Sequence, residues 1–428
     1  MRVWLVTIGE PLPTDGDGGD RLYRAGILAT LLAQRGHEVV WWSSTFDHVR
    51  KRQRFSTDTT LRLDSGVLLK LLQGCGYRRN VSLRRLVDHA ILARKFSAQA
   101  RNMPCPDVVL CSLPPLELSA AVTRYGKAHD VPVIVDVRDL WPDIFLELVP
   151  SWARSLFGFA LTPMWRQARA ACQNAFAITG NCPEFVEWGL RHARRPAGNL
   201  DRFFPFGYLV PVLTDKVREK ARHFWNTYGL CEGDTQFTIC FFGAFSNQFD
   251  LETVIDAALM LEAEGVSARF VLCGAGEHLE ALRARASGSR AVIFPGWVGR
   301  AEIWTLMTLC DVGIAPYRNH VGFAGNLPNK PIEYMAGGLP IVSGLRGYLA
   351  EFLDRHQCGL TYVPGDAQAL RDVVVRLMKD TELLTKMSAN ARRVFSEKLD
   401  AGKVYGQMID YLQNAAAVHS SSHSALSA

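Results

Sequence analysis

The sequence lacks the cysteine spacing that accompanies structural disulfides or bound metal. Its ten cysteines are scattered over 428 residues, and no two of them form a Cys-x-x-Cys pair. Cys240, Cys273 and Cys310 lie in apolar runs, where a free thiol behaves as a small buried hydrophobe. The pattern therefore excludes a disulfide-stapled scaffold and a cysteine metal site, and it indicates a reducing compartment.

Long hydrophobic runs are also missing. Near Trp152 the longest uncharged stretch covers residues 155–165, whereas a membrane-spanning helix needs about 20 apolar residues. The first residues, MRVWLV, read as a strand, because the apolar core and the cleavage site of a signal peptide are absent. We therefore expect a cytoplasmic protein without a spanning segment.

A dinucleotide-binding Gly-x-Gly-x-x-Gly motif is absent as well. The loop after the first strand reads DGDGGDR (residues 15–21), and no acidic residue follows at the distance that would bind a dinucleotide ribose. NAD is therefore not expected. Gly18 and Gly19 allow close approach of the backbone to a ligand, and Arg21 and Arg24 would reach a phosphate. A flexible loop without a ligand is the alternative.

The charge is modest overall, at +6, but it is concentrated between residues 48 and 102. That segment has thirteen basic residues against three acidic ones, Asp58, Asp64 and Asp88. The basic residues are Arg50, Lys51, Arg52, Arg54, Arg62, Lys70, Arg78, Arg79, Arg84, Arg85, Arg94, Lys95 and Arg101. A phosphate-bearing substrate or an anionic membrane would suit this surface. Nucleic acid is not expected, since no aromatic-interleaved motif accompanies the charge; a solvated basic face stays open.

Strand-like apolar runs alternate with amphipathic helices along the whole chain, which predicts an α/β protein with parallel sheets. The length exceeds what one hydrophobic core usually holds, so two domains are expected. The runs expected to form strands are residues 3–8, 39–42, 108–111, 133–137 and 175–179, and then 237–242, 268–273, 291–294, 312–315 and 340–342.

Two successive units of nearly equal size predict two Rossmann-like domains, residues 1–200 and 201–400, that face each other across a cleft. Ligands of such sheets bind outside the carboxyl ends of the strands, so the cleft is the expected site. A last helix at residues 401–418 is expected to pack back on the first domain. Residues 419–428 are rich in Ser, Ala and His, and we expect a disordered tail there.

The segment that points most directly to chemistry is residues 326–343, NLPNKPIEYMAGGLPIVS. Pro331 suits the first turn of a helix, Asn329 is predicted to cap that helix, and the two following glycines end it. Lys330 would then lie at a helix N-terminus that already attracts anions. Glu333 follows within one turn, where a carboxylate would bind vicinal hydroxyls. This arrangement suits a nucleotide sugar, and an ordinary capped helix with solvated charges is the alternative.

Three other predicted strands of the second half end in loops that suit ligand binding. Gly243 follows the first of these strands, and Gly274 and Gly276 follow the second. Trp297 and Val298 follow the third, where main-chain groups would read a nucleobase edge. Each loop alone is a weak signal, but together with Lys330 they favour one binding site at one sheet edge.

In the first half, the strand at residues 133–137 ends in Arg138-Asp139-Leu140-Trp141. Charges at the end of a buried strand are costly unless they bind something. Asp136, Arg138 and Asp139 are therefore candidate substrate contacts. The alternative is an Arg–Asp pair that ties two loops together.

These motifs resemble family 4 of the glycosyltransferases, a group 1 family of retaining sugar transferases with the GT-B architecture, and in particular its bacterial envelope-polysaccharide members. The resemblance covers nearly the whole chain. Its most specific pieces are RGHEV (residues 35–39), VDVRDLWP (135–142), FPGW (294–297) and LPNKPIEYMAGGLP (327–340).

The resemblance implies that the second domain binds a nucleotide sugar, with a UDP-sugar as the expected donor, and that the first binds a lipid-linked or oligosaccharide acceptor. Lys330 would hold the diphosphate and Glu333 the ribose hydroxyls. Gly18 and Gly19 would lie against the transferred sugar. It further implies retention of configuration, no cofactor and no metal, in agreement with the lack of an Asp-x-Asp pair at a strand end. Attachment to the inner face of the plasma membrane is expected from the basic segment together with the aromatic run Trp152, Phe157, Phe159 and Trp165; the alternative is that these aromatic side chains belong to the core.

Three departures from the family pattern stand out. Gly325 occupies the position of the first of two family glutamates, and Ala244 and Phe249 stand roughly where an Arg and a Lys commonly bind phosphate. Arg138-Asp139 replaces a common His-Asp pair. We interpret these as a subfamily variant. The alternatives are a non-catalytic nucleotide-sugar-binding subunit and an epimerase of the same fold.

Overall fold

The structure is a computed structural model that describes residues 1–15, 22–319 and 325–426. These residues form two compact units. Unit 1 consists of Met1–Pro205 together with the C-terminal segment from Val404, and unit 2 is Phe206–Lys403.

Unit 1 is built on an eight-stranded sheet in the order β10-β9-β8-β7-β1-β2-β6-β5. All its neighbours pair in parallel except β5 with β6. Its strands, with the separate β3–β4 hairpin, are β1 (Arg2–Val6), β2 (Glu38–Ser44), β3 (Phe46–Asp47), β4 (Arg52–Gln53), β5 (Thr59–Arg62), β6 (Leu68–Leu72), β7 (Val108–Leu113), β8 (Val133–Val137), β9 (Ala177–Gly180) and β10 (Arg202–Phe203). Its first helices are α1 (Arg24–Gln34), α2 (Leu83–Ala100), α3 (Leu116–His129), α4 (Arg154–Gln173) and α5 (Pro183–Ala193).

Unit 2 is built on a six-stranded, all-parallel sheet in the order β13-β12-β11-β14-β15-β16. The strands are β11 (Phe237–Phe242), β12 (Ala268–Cys273), β13 (Val292–Gly296), β14 (Val312–Ala315), β15 (Ile341–Ser343) and β16 (Gly359–Thr361). The helices are α6 (Asp215–Asn226), α7 (Leu251–Ala263), α8 (Leu279–Arg285), α9 (Arg300–Leu309), α10 (Asn329–Gly337), α11 (Tyr348–His356), α12 (Ala367–Lys379) and α13 (Thr381–Val394). The parallel, helix-covered sheets confirm the predicted α/β class with two Rossmann-like units.

The order of each sheet decides where a ligand site can form. In unit 2 the chain builds outward from β11 to β13 and then returns to place β14 on the other side of β11. In unit 1 it returns in the same way to place β7 beside β1. At such a switch point the loops after two adjacent strands run to opposite sides and leave a crevice at the carboxyl edge. The residues after β11 and β14, and those after β1 and β7, are therefore the first places to look for chemistry.

The last helix, α14 (Ala401–Leu426), lies against unit 1 from Val404 onward. Arg35 Nη1 donates a 2.7 Å hydrogen bond to Asp410 Oδ1, and the Tyr411 hydroxyl donates a 2.9 Å bond to the Leu200 carbonyl. The helix continues to Leu426, into the segment that the composition predicts to be a tail. His419 Nε2 lies 3.0 Å from the Asp130 carbonyl oxygen.

The region between residues 46 and 72 differs most from the sequence-based expectation, which placed no strand there. The structure contains the β3–β4 hairpin and two further sheet strands, β5 and β6. β6 has the sequence LLKLL and pairs in parallel with β2. Part of the predicted basic surface is therefore strand and hairpin, and Lys70 lies with its ammonium 5.4 Å from the Trp42 ring centroid.

No helix in the described ranges is both long and apolar enough to span a bilayer.

Candidate functional site

Helix α10 presents Lys330 in its first turn, as predicted. Pro328, in an extended conformation, is the residue before the helix, and Pro331 falls in the first turn, where its missing N–H removes no helical bond. Gly338 ends the helix with a left-handed φ of 76°. The predicted capping by Asn329 is wrong, because the helix already begins at Asn329 and has no side-chain cap.

Tyr334 fixes helix α10 against the sheet. Its side chain is fully buried, and its hydroxyl donates a 3.0 Å hydrogen bond to the carbonyl of Ile314 in β14. A Cβ added at Gly313 would lie 2.3 Å from Cγ of Tyr334, so only glycine lets the ring pack this closely on the strand. This contact determines where the first turn of α10, and therefore Lys330, lies relative to the end of β14.

The ammonium of Lys330 lies directly against Gly243, at the end of β11. A Cβ at Gly243 would come within 2.5 Å of Lys330 Nζ. Nζ is also 4.6 Å from the Phe249 ring centroid and 5.4 Å from that of Phe241. Ring faces attract a cation, so these contacts help to fix the position of the ammonium. The structure thus brings Lys330 and Gly243 together at the switch point of unit 2.

Glu333 lies one turn further along α10 and is only 4% exposed. Burial, followed by the negative charge of Glu333, raises the pKa of the Tyr317 phenol, which keeps that side chain neutral. The Tyr317 ring packs against Phe249 with a centroid separation of 4.8 Å, and the backbones of the two residues form an antiparallel bridge. This bridge joins the loop after β11 to the loop after β14 and closes one side of the site.

The predicted glycine loops form one continuous rim of backbone. Gly243 N donates to the Cys273 carbonyl at 2.9 Å, and Gly274 N donates to the Gly296 carbonyl at 2.8 Å. Gly274 has a φ of 153°, and a Cβ there would lie 1.9 Å from Gly243 O. A Cβ at Gly276 would lie 2.3 Å from the Phe245 carbonyl oxygen. The glycines are therefore needed for the close approach of the loops after β11 and β12.

Trp297 and Val298 follow β13 and have opposite environments. Trp297 is 76% exposed, whereas Val298 is buried in the hydrophobic core of unit 2. An exposed indole at the end of a strand offers a face on which a flat group can stack. A contact between the main chain of this pair and a nucleobase agrees with the structure. Of the two residues, only Trp297 exposes its side chain to a ligand.

Three of the residues that depart from the family pattern, Ala244, Phe249 and Gly325, occupy different environments. Ala244 is exposed, Gly325 is buried, and the Phe249 ring contacts the Lys330 ammonium. Phe249 thus orients the cation of α10, although it cannot itself bind phosphate. Gly18 and Gly19, which the resemblance places against the transferred sugar, and Arg21, a candidate phosphate contact, lie outside the described residues.

In unit 1, the residues after β8 do not form the Arg–Asp pair considered from the sequence. Arg138 pairs with Glu10, and its backbone N–H donates to the Leu113 carbonyl at 2.8 Å. Burial lowers the pKa of Arg138, but the carboxylates of Glu10 and Asp136 outweigh it and hold that pKa above its usual value. Asp139 accepts hydrogen bonds from Leu140 N and from Trp141 Nε1, and burial raises the pKa of its carboxyl.

Sequence reasoning missed Glu10. This buried carboxylate follows β1, its Oε1 pairs with Arg138, and its Oε2 accepts a 2.9 Å hydrogen bond from Ala25 N in the first turn of α1. Glu10 therefore joins the loop after β1 to the loop after β8, next to the switch point of this sheet. The signal that could have found it is an acidic residue directly after the first predicted strand.

Asp136 and Arg24, two other candidates, form a buried structural pair. Arg24 Nη2 lies 3.1 Å from Asp136 Oδ1, with both side chains 2% exposed, and Thr179 donates a 2.8 Å hydrogen bond to the same oxygen. Arg24 Nη1 also donates to the Phe204 carbonyl at 2.7 Å. The Arg24 side chain is thus bound to groups inside unit 1. The predicted contact between this side chain and a phosphate is therefore wrong.

We expect Asp136→Asn to lower the free energy of unfolding by about 3–5 kcal/mol, because it removes the buried carboxylate that pairs with the buried Arg24 guanidinium. Urea denaturation followed by circular dichroism would measure the change. Asp410→Asn is the matched control, since the Arg35–Asp410 pair is exposed at 44% and 67% and should contribute about 1 kcal/mol or less. Equal effects of the two substitutions would contradict the assignment.

Among the residues that the structure describes, no group of three His, Cys, Asp or Glu side chains is arranged to hold a metal ion.

Comparison with known proteins identifies the domain that carries Lys330 and Glu333. Residues 236–380 match the family model of the glycosyl transferases group 1. This segment is therefore similar to the group 1 glycosyl transferases. It contains β11 to β16 with the loops at Gly243, Gly274, Gly276 and Trp297, so the resemblance stated from the motifs is confirmed for the unit that forms the candidate site.

Among curated proteins, the chain is similar to the putative colanic acid biosynthesis glycosyltransferase WcaL of Salmonella typhimurium and of Escherichia coli. Each is 25% identical over 170 residues, which is 38% of this chain and 41% of the relative. The similarity to these glycosyltransferases thus spans less than half of their length.

Solved structures show the fold of the whole chain. Sucrose-phosphate synthase from Thermosynechococcus elongatus has a TM-score of 0.73 at 16% identity, with 97% of this chain and 99% of that chain covered. HepE from Anabaena, solved with UDP, has a TM-score of 0.64 at 15% identity, with 97% and 100% covered. The predicted GT-B fold is therefore confirmed.

Proposed function

We propose that this protein is a retaining glycosyltransferase that transfers a hexose or N-acetylhexosamine from a nucleoside diphosphate sugar to a lipid-linked or glycan acceptor. The carrying observation is the placement of the Lys330 ammonium against Gly243, at the switch point of the unit that is similar to the group 1 glycosyl transferases. The similarity to colanic acid glycosyltransferases supports a place in envelope polysaccharide synthesis.

In this proposal the donor lies along the carboxyl edge of unit 2. Lys330 and the first turn of α10 bind the diphosphate, since a helix N-terminus favours anions, and Gly243, which has no side chain, lets the ligand approach the end of β11. Glu333 accepts hydrogen bonds from the ribose hydroxyls, and the Trp297–Val298 segment contacts the base. UDP and UDP-glucose are present in solved structures of HepE, which supports a UDP-sugar as the donor.

The chemistry follows from charge that develops on the leaving group. The bond between the anomeric carbon and the diphosphate oxygen breaks, and a bond to the acceptor hydroxyl oxygen forms on the same face of the sugar. The hydroxyl proton passes to the departing phosphate oxygen, so a strong protein base is not required. Lys330 and the amides of the α10 first turn stabilise the growing negative charge. Electrostatic stabilisation of this kind is usually the largest single contribution to catalysis.

In unit 1, the loops after β1 and β8 would bind the acceptor. The pair between Arg138 and Glu10 holds these two loops together, and Asp139 is fixed by Trp141. We propose that Arg138 and Asp139 contact the acceptor from this edge, in place of the common His-Asp pair of the family.

A panel of UDP-, GDP- and dTDP-sugars, each incubated with the purified protein and EDTA, tests the donor proposal. Slow release of one nucleotide, lost in Lys330→Ala and in Glu333→Ala, is the expected result and names the donor. Nucleotide binding in calorimetry without release, even after acceptor extracts are added, would favour the non-catalytic subunit. Conversion of the donor to an isomeric nucleotide sugar without release would favour the epimerase.

A membrane surface for the acceptor is proposed on unit 1, where α4 begins. Trp152, Leu156 and Phe159 are 84%, 79% and 80% exposed, and we call these three residues the apolar patch. Leu156 and Phe159 share a helix face by their spacing, and Arg154 beside them is also exposed. An apolar face flanked by cations suits the surface of an anionic membrane. Phe157 and Trp165, which the sequence grouped with this run, pack against the core.

We expect the double substitution Trp152→Ser with Phe159→Ser to reduce sedimentation with vesicles of phosphatidylglycerol and phosphatidylcholine by about tenfold or more, since it removes two large apolar side chains from the interface. Val212→Ser is the matched control, because Val212 is 98% exposed but belongs to unit 2. Binding that both variants retain in full would remove the membrane surface from this face.

A further inference from the structure

A cluster of cations and aromatic rings in unit 1 is not used by the donor site. It forms where the hairpin after β2, the loop after β6 and the loop after β8 come together, at the carboxyl edge of the sheet. Two basic side chains, Lys51 and Arg85, lie on the ring of Tyr77, with Nζ and the guanidinium carbon 5.0 Å and 5.3 Å from its centroid.

Arg85 is held in place from two sides. Its guanidinium carbon is 4.4 Å from the Trp141 ring centroid, and its Nη1 donates a 2.9 Å hydrogen bond to the Asn80 carbonyl. Its Nε is buried and has no hydrogen-bond partner in the described residues. Burial lowers the pKa of Arg85. The stacked position therefore leaves one N–H donor of this half-buried guanidinium without a hydrogen bond.

Lys51 reaches the same ring from the β3–β4 turn. Its backbone has a left-handed φ of 54°, which is unfavourable for a lysine. Nζ donates to Asn80 Oδ1 at 2.5 Å and lies 3.4 Å from His48 Nδ1. The Tyr77 hydroxyl lies 2.6 Å from the same His48 nitrogen. His48 thus uses Nδ1 as an acceptor for its neighbours.

The nearby carboxylates are engaged elsewhere. Asp88 accepts from Gly76 N at 2.7 Å, Asp47 pairs with Arg50 and Arg54, and Asp139 accepts from Trp141. Glu117 lies 3.7 Å from His89 Nδ1. Within the described part of the chain, neither Lys51 nor Arg85 has a carboxylate oxygen within 4.0 Å.

Neither cation of the cluster has a direct carboxylate partner in the described residues, and the more distant Asp139 and Asp88 act on Arg85 only through space. Burial, and then the charges of Lys51 and Arg85, lower the pKa of His48 to about 4, and burial and Arg85 lower the pKa of Lys51. The charge of His89 also lowers the pKa of His48, whereas the carboxylate of Asp47 acts to raise the pKa of both His48 and Lys51. Two cations that are held close together by aromatic rings, without an anion between them, form a favourable site for one.

We propose that Lys51 and Arg85, positioned by Tyr77 and Trp141, form an anion site that binds the phosphate group of a phosphorylated acceptor. The site itself stands on the geometry of unit 1, and only the identity of the ligand as the acceptor rests on the proposed function. Lys51 supplies a compact ammonium, and Arg85 supplies a planar guanidinium that matches phosphate oxygens. Tyr77 and Trp141 act as positioning residues.

Inorganic phosphate is the probe for the site, and His48 is the reporter, because its Nδ1 lies 3.4 Å from Lys51 Nζ. Histidine-selective NMR, with His48→Gln to assign the signal, follows the shift of His48 as phosphate is added at constant ionic strength. We expect a saturable shift and a higher His48 pKa, since a bound anion favours the imidazolium. Lys51→Met and Arg85→Met should each weaken phosphate binding about tenfold or more. Lys127→Met, at an exposed lysine of α3, should leave it unchanged.

Three outcomes would overturn the anion site: no shift, a shift that sodium chloride reproduces at equal ionic strength, or equal phosphate affinity in Lys51→Met and the wild type. Calorimetry with UDP separates this failure from a failure of the donor proposal, because Lys51→Met leaves unit 2 untouched. Phosphatidylglycerol vesicles separate the sources of the phosphate. Vesicle binding that falls in Lys51→Met assigns the site to a lipid headgroup, and unchanged vesicle binding with weaker phosphate binding assigns it to a phosphate ester of the acceptor itself.

Discussion

Replacing Lys330 by alanine is expected to lower kcat/KM for sugar transfer by two or more orders of magnitude. A hundredfold loss corresponds to about 2.7 kcal/mol of transition-state stabilisation. That magnitude is expected for removal of one charge from a site where negative charge develops on a diphosphate. The ammonium lies against Gly243 and over the Phe249 ring, so a water molecule cannot easily reproduce its position.

The measurement is steady-state release of nucleotide with the donor that the panel selects. Lys379→Ala, in the last turn of α12 and exposed, is the matched control for loss of one positive charge in unit 2. The two variants should have the same circular dichroism spectrum, because the hydrogen bond from Tyr334 to Ile314 anchors α10 independently of Lys330. Turnover within a factor of three of wild type in Lys330→Ala would disprove the proposed role.

Replacing Gly274 by alanine is expected to produce the largest loss of stability in unit 2, about 3 kcal/mol or more. The new Cβ would lie 1.9 Å from the carbonyl oxygen of Gly243 and 2.9 Å from the Phe245 ring. The obstacle is backbone, so no side-chain rotation relieves it, and the φ of 153° is itself unfavourable for alanine. The loops after β11 and β12 would have to separate, which would also disrupt the donor site.

Gly265→Ala is the control for the backbone part of this effect. Gly265 has a φ of 72°, but a Cβ there would meet no atom within 4 Å. Its substitution should cost about 1–2 kcal/mol, the ordinary cost of a left-handed alanine. Urea unfolding of both variants would measure the difference. If Gly274→Ala is no more destabilising than Gly265→Ala, the close packing of the two loops does not contribute to stability.

Several elements of the fold could be predicted from the sequence because each is a local pattern. The strands at residues 133–137, 237–242, 268–273 and 312–315 have the predicted bounds. Strands buried on both faces are continuous apolar runs, and these runs are bounded by polar or glycine-rich segments. The start and end of α10 follow in the same way from Pro331 and Gly338, although Pro328 takes the position that the sequence assigned to Asn329.

Strand β6 shows where local patterns are insufficient. Its five residues, LLKLL, lie within the basic segment between residues 48 and 102. The charge of that segment predicted a basic surface and gave no sign of a strand. The strand is stable only because it pairs with β2 on one side and β5 on the other. The apolar patch gives the same lesson, since spacing could not tell the exposed Trp152 and Phe159 from the core-facing Phe157 and Trp165.

The sequence by itself determined the α/β class, the two Rossmann-like units, the helix that carries Lys330 and Glu333, and the glycine loops at the ends of strands, because all of these depend on residues close together in the chain. Only the tertiary structure decided which side chains meet. It brought Phe249 and Gly243 to Lys330, Glu10 to Arg138, and Lys51 to Arg85. Those contacts join loops that are far apart in sequence, and the order of strands in each sheet, which is set by the burial of the whole domain, places the loops side by side.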